Sequence, residues 1–211
     1  FRGIGVPVLT VHNQISDKIF GVTKAWADKN PNTLVHVVKA LIRAGKWLDE
    51  KDNANRKAAA KMISNPNYVG ADEKVIANSM TGIFEYERGD KRAEPDFNVF
   101  FRYNASYPFY SDVVWYLTQM RRWGQIPEAK PDSWYADMAK KIARPEVYQQ
   151  AAKDLIEEGK LTAADFQDFS KADGYRSPDA TEWIDGIKFD GHKPNDYLKQ
   201  FKIGLKGDEK L

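Results

Sequence analysis

Apolar positions recur along this chain mostly at helical spacing. Ile4 to Val11 is the exception, a β-branched apolar run that predicts a short buried strand, with Pro7 at an edge or strand start where its missing N–H does no harm. Asn30-Pro31-Asn32-Thr33 then supplies a cap and a proline at the first helical position. Leu34, Val35, Val37, Val38, Leu41, Ile42 and Leu48 follow at three- and four-residue steps, so a helix is expected with Lys39, Arg43 and Lys46 on its outer face. Ala54 to Ile63 predicts a second helix, stopped at Ser64-Asn65-Pro66-Asn67, and a short third follows Asp72. Residues 85–96 show no countable period and read as a loop.

The stretch 97–116 is dense in Phe, Tyr and Trp and predicts buried, irregular packing. Ser111 or Asp112 can cap a helix that runs through Trp123 and ends at Gly124 ahead of Pro127. Further helices are expected at 132–142, at 145–158 with Gly159 as the stop, at 162–169 after the Thr162-to-Asp165 capping spacing, at 178–185 and at 193–201. The fold class this implies is α/β with helix dominant.

The 211 residues are long enough for a sizeable core. Lys and Arg exceed Asp and Glu by only two, with no block of like charge, so the sequence offers no electrostatic footprint for nucleic acid. The absence of cysteine excludes disulfides, thiolate metal sites and a cysteine nucleophile. No apolar run reaches membrane-spanning length. The chain opens on Phe1 with Gly3-Ile4-Gly5-Val6, which reads like the middle of a domain, so a fragment is expected.

Candidate chemistry is sparse. His12, His36 and His192 lie too far apart for a local metal set, and no phosphate loop, nucleophile elbow, His-Glu-x-x-His or dinucleotide fingerprint occurs. The carboxylate groups Asp49-Glu50, Asp72-Glu73, Glu85 with Glu87 and Glu157-Glu158 read as caps or solvated helix faces. Arg121-Arg122 can clamp an anion, or pair with carboxylates structurally. The segment Thr10 to Lys18 runs a buried strand into several hydrogen-bonding side chains. Small ligands bind at strand carboxyl ends in open α/β sheets, so Thr10, His12, Asn13 and Lys18 form the candidate ligand edge. A plain polar loop is the alternative reading.

Several strings together resemble a known family: Phe20-Gly21-Val22-Thr23 through Trp26-Ala27-Asp28-Lys29-Asn30-Pro31-Asn32-Thr33, Lys39-Ala40-Leu41-Ile42 with Lys46-Trp47-Leu48-Asp49, and Asn104 to Asp112. Trp115 to Gly124 and Asp185-Gly186-Ile187-Lys188-Phe189-Asp190-Gly191 complete the set. The chain is similar to the C-terminal half of the nitrate- and bicarbonate-binding subunits of bacterial ABC importers. The resemblance implies the two-lobed fold of type 2 periplasmic solute-binding proteins. Residues 1–110 would be the remainder of the second lobe, and 111–211 a helical region packing back on a first lobe that lies outside this sequence. It implies a non-catalytic receptor for nitrate, nitrite, cyanate or bicarbonate, partnered by permease and ATPase subunits, periplasmic, and anchored through a lipidated N-terminus outside this sequence. A sensing domain fused to the ATPase of the same importers is the rival, and an enzyme acting on a pyrimidine or sulfonate is disfavoured by the missing nucleophile and base.

The family usually carries an Ile-Trp-Lys string and then Pro-Glu-Lys before Phe-Gly-Val-Thr, the first of these lysines supplying positive charge to the anion. Here Thr10-Val11-His12-Asn13-Gln14-Ile15-Ser16-Asp17-Lys18 is shorter and lacks the Trp-Lys pair. The lysine ligand is therefore not carried over, and Lys18 aligns with the lysine after Pro-Glu. Calcium accompanies the anion in some bicarbonate-binding members. Asp185, Asp190 and Asp196 do not have the spacing of a calcium loop, so no metal or cofactor is expected.

Overall fold

The computed structural model describes residues 18–176 and 186–204. The expected strand at 4–11 and helix at 178–185 lie outside the described residues. The described chain divides into two compact units, one of residues 37–106 and one of residues 18–36 with 107–204. Helix α2, Pro31–Asn53, starts in the second and continues into the first.

In the first unit the buried stripe of α2 runs through Ile42, Gly45 and Asp49 and takes in Lys39, while Leu41 is 45% exposed. The expected outer face is thus rotated: Arg43 is exposed, but Lys39 is buried. Gly45 is required here, because a Cβ would lie 2.8 Å from the Phe100 carbonyl oxygen. Helical geometry ends at Asp49, and Lys51, Asp52 and Asn53 all take positive φ, a left-handed turn that side chains other than glycine rarely adopt.

Helix α3, Arg56–Ile63, packs on α4, Glu73–Thr81. Both match the sequence expectation, with the Asp72 side chain accepting from the Lys74 amide at the start of α4. Gly82, at φ 68°, ends α4 and leads into an antiparallel hairpin of β1, Ile83–Glu87, and β2, Asp90–Ala93. This corrects the loop expected at 85–96. Glu87 pairs with Asp90 across Arg88-Gly89, and Gly89 supplies the positive φ that a two-residue hairpin loop needs. Phe84 is buried whereas Ile83 and most of β2 are exposed, so the alternation is too short to show as a period.

The second unit begins with α1, Lys24–Lys29, whose first turn is capped by the Thr23 hydroxyl accepting from the Trp26 amide. The Asn30 amide donates back to the Trp26 carbonyl, so this residue closes α1 rather than capping α2. Helix α5, Tyr110–Arg122, packs on α6, Asp132–Ile142, and on α8, Pro194–Leu198. Val114, Leu117, Tyr135, Ala139, Phe189, Tyr197 and Leu198 form the core between them. Gly124 at φ 74° and Gly159 at φ 64° stop α5 and α7, Pro145–Glu157, as the sequence predicts.

Two expectations fail in instructive ways. Neither Ser111 nor Asp112 caps α5, which starts at Tyr110 with no side-chain cap, because both side chains bind Arg176. The helix expected at 162–169 is only a single 3₁₀ turn, Ala163–Asp165, although the Thr162–Asp165 capping box forms. Phe166 leaves the helical region at φ −124°, ψ 157°. Phe166 and Phe169 then turn toward Tyr148, and Phe169 stacks 5.7 Å from the Tyr107 ring.

Candidate functional site

Thr10, His12 and Asn13 of the candidate edge lie outside the described residues. Lys18 is described, and it is exposed. From it an apolar strip leads into α1: Ile19 is 78% and Phe20 50% exposed, with Val22 and Trp26 partly exposed beside them. Lys24 on this strip pairs with Asp28 one turn along α1, an exposed contact worth little in energy.

An anion receptor needs convergent donors, because desolvating a small anion must be offset by hydrogen bonds and positive charge. The cationic groups of the described residues that show clear geometry are committed elsewhere. Arg121 donates to the backbone carbonyls of Ile126 and Pro127, tying down the end of α5. Arg122 lies 3.7 Å over the Phe201 ring. The doublet is therefore structural, although backbone carbonyls and an aromatic face take the place of the expected carboxylates. His36 Nδ1 contacts the Asn32 carbonyl of its own helix, and His192 stacks on Tyr175 with Nε2 3.2 Å from Asp173.

The two most buried ion pairs among the described residues lie one in each unit, and neither pairing was singled out from sequence. In the second unit Arg176 grips Asp112 with Nε at 3.0 Å and Nη2 at 2.8 Å from the two carboxylate oxygens. The Arg176 guanidinium also covers the Phe109 ring at 4.7 Å, and its amide donates to the Ser111 hydroxyl. The Tyr110 amide donates to Gly174 O at 2.7 Å, so residues 174–176 are sewn onto the start of α5. Gly174 is required: its φ is 83°, and a Cβ would meet the Tyr110 ring at 2.5 Å.

In the first unit Asp49 is 5% exposed and Arg56 wholly buried. Asp49 Oδ1 accepts from Arg56 Nη2 at 2.6 Å. Asp49 Oδ2 accepts the backbone N–H groups of Phe100, Phe101 and Arg102 at 3.0, 2.7 and 3.0 Å. The rest of the Arg56 guanidinium is satisfied by the carbonyls of Leu48 and Met80. Burial pushes the Asp49 carboxyl upward, but the amides of Arg102 and Phe101, Arg56 and the Phe100 amide outweigh it and hold the group below the ordinary aspartate range. Asp49 is thus neither a cap nor a solvated helix face as its doublet with Glu50 suggests. A sequence signal was present, since Asp49 falls on the same side of α2 as Ile42 and Gly45.

Among the described residues no group of His, Asp and Glu could hold a metal ion, and no helix is long and apolar enough to cross a membrane. What this arrangement does chemically is hold backbone.

Comparison with known proteins supplies the rest. Residues 1–64 match the NMT1-like family. The chain is 28% identical over 191 residues to the nitrate/nitrite binding protein NrtA of Nostoc sp. (strain PCC 7120), a match covering 89% of this chain and 39% of that protein. To the bicarbonate-binding protein CmpA of Synechococcus elongatus it is 29% identical over 185 residues, 84% of this chain and 38% of that one. To the nitrate import ATP-binding protein NrtC of Synechocystis sp. (strain PCC 6803) it is 29% identical over 198 residues, 92% of this chain and 26% of that one. The crystal structure of the periplasmic nitrate-binding protein NrtA from Synechocystis PCC 6803 superposes with a TM-score of 0.69 at 23% identity, over 90% of this chain and 47% of that chain. The chain therefore spans less than half the length of these relatives. It is similar in sequence to nitrate- and bicarbonate-binding proteins and has the helix-rich α/β fold of the matched part of that periplasmic nitrate-binding protein.

Proposed function

We propose that this chain is part of the substrate-binding component of an ABC importer for nitrate or a related small anion such as nitrite, cyanate or bicarbonate, acting in the periplasm. The observation that carries the reading is similarity to NrtA along 89% of the chain, at an identity close to that with CmpA. The protein captures its anion without chemistry, by closing two lobes over it. Contacts made only in the closed form shift the equilibrium toward it, and the permease reads the closed shape. Residues 1–110 belong to one lobe and 111–211 to a helical region docking on the other, which lies outside this sequence. A lipid on an N-terminus upstream of this sequence would anchor the protein.

The ligand edge of this reading is Thr10, His12, Asn13 and Lys18. Lys18 is exposed and leads directly into the apolar strip before α1, a place suited to the margin of a cleft. The test is titration calorimetry of the full-length protein with nitrate, nitrite, cyanate and bicarbonate. Saturable heat with at least one of them is expected, and its loss in Lys18→Ala and His12→Ala would assign the edge. No heat with any small oxyanion would overturn the reading.

A second reading has its own support. The match to NrtC, an ATP-binding protein, is as strong in identity as that to CmpA, so the chain also fits an anion-sensing domain fused behind an ATPase. Sequence upstream of Phe1 separates the two: a phosphate-loop domain there marks the sensor, and a secretion signal the receptor.

A further inference from the structure

The Asp49 carboxylate is bound the way a protein binds a foreign oxyanion. Three consecutive amides converge on one of its oxygens, and a wholly buried guanidinium takes the other. Phe101 and Arg102 open a single irregular 3₁₀ turn, Arg102–Asn104, in which Tyr103 and Asn104 take φ of 56°, so the convergence of the three amides is set by this loop's shape and its anchoring rather than by a run of helix. Arg102 bolts the cradle to the end of α2, donating through Nη1 to the Asp49 carbonyl at 3.1 Å and the Asn53 side chain at 2.7 Å, and through Nη2 to Asp96 at 2.7 Å. The Phe100 ring covers Arg56 at 5.2 Å. A concave run of backbone N–H groups beside a desolvated cation is an anion site whatever carries the anion.

We infer that residues 100–102 with Arg56 form an oxyanion site that the chain fills with its own side chain, and that a free monocarboxylate of the right size occupies it once Asp49 is shortened. Formate replaces the carboxylate removed by Asp49→Ala. Acetate replaces the whole side chain removed by Asp49→Gly, its methyl standing where Cβ stood, and against Asp49→Ala that methyl collides with the alanine Cβ.

The experiment follows thermal unfolding of the native chain and of Asp49→Ala, Asp49→Gly and Asp49→Asn in sodium formate, acetate or chloride at equal ionic strength. At formate ten times its dissociation constant, the midpoint of Asp49→Ala should rise by about 3–6 °C over chloride. Acetate should do less for Asp49→Ala and at least as much as formate for Asp49→Gly. The native chain and Asp49→Asn, whose cradles are filled, should respond to formate as they do to chloride. Should Asp49→Ala not fold in chloride, its refolding yield in formate is read the same way, and failure to recover there counts against the site. Equal effects of the three salts on Asp49→Ala, or the same formate response in Asp49→Asn, would overturn the inference.

Discussion

Asp49 and Arg56 meet with side chains 2% and 0% exposed, and the value of such a pair lies less in what it adds than in what its halves cost alone. Two charges withdrawn from water recover their desolvation only when every remaining donor and acceptor is also matched, as the carbonyls of Leu48 and Met80 and the amides of residues 100–102 arrange here. Asp49→Asn keeps the shape and leaves Arg56 without a countercharge, which should destabilise the protein by about 3–5 kcal/mol at neutral pH. The folded pKa of Asp49 is depressed, so its contribution is full above the unfolded value and drains as the pH falls through about 4 toward the folded value. Denaturant unfolding of the native chain and Asp49→Asn between pH 7 and 2.5 should show their difference shrinking over that acid range. A difference that stays constant with pH would mean that the charge of Asp49 is not what holds the loop.

Helix stops and starts were readable at Pro31 and Pro145 in first turns, Asp72 as a cap, and Gly124 and Gly159 in left-handed stops, where one residue carries the geometry. What could not be read was any element decided by a distant partner. The hairpin of β1 and β2 buries Phe84 while Ile83 faces out, too little alternation to form a pattern. Asp112 looks like a helix cap until Arg176, 64 residues away, claims it. Phe166 breaks its helix to join Tyr148, and the Tyr107 ring sits among Phe109, Tyr148 and Phe169 with its hydroxyl accepting from Gln149. Tyr107 is 2% exposed, so truncating it removes the centre of that cluster. Tyr107→Ala should cost about 3–5 kcal/mol, while Tyr107→Phe, which loses only the hydrogen bond, should cost about 0.5–1.5 kcal/mol in the same unfolding assay. Similar losses for the two variants would move the stabilisation from the ring to the hydroxyl.

For the molecule as a whole, the cations with clear geometry in the described residues bind backbone, rings or carboxylates of their own chain. Of the four residues read as a ligand edge, Lys18 is described, exposed at the head of an apolar strip, and Thr10, His12 and Asn13 lie outside the described residues. The resemblance was readable from word-like strings such as Tyr107-Pro108-Phe109-Tyr110 and Arg121-Arg122-Trp123-Gly124, and the structure assigns those strings to core and helix-end packing. They carry the likeness through the scaffold. Capture by closure predicts a change of shape that small-angle X-ray scattering reads directly on the full-length protein. Saturating nitrate, or whichever of nitrite, cyanate and bicarbonate gives heat in the calorimeter, should lower the radius of gyration relative to matched chloride. Identical scattering curves with and without every one of these anions would contradict a receptor that works by shutting on its cargo.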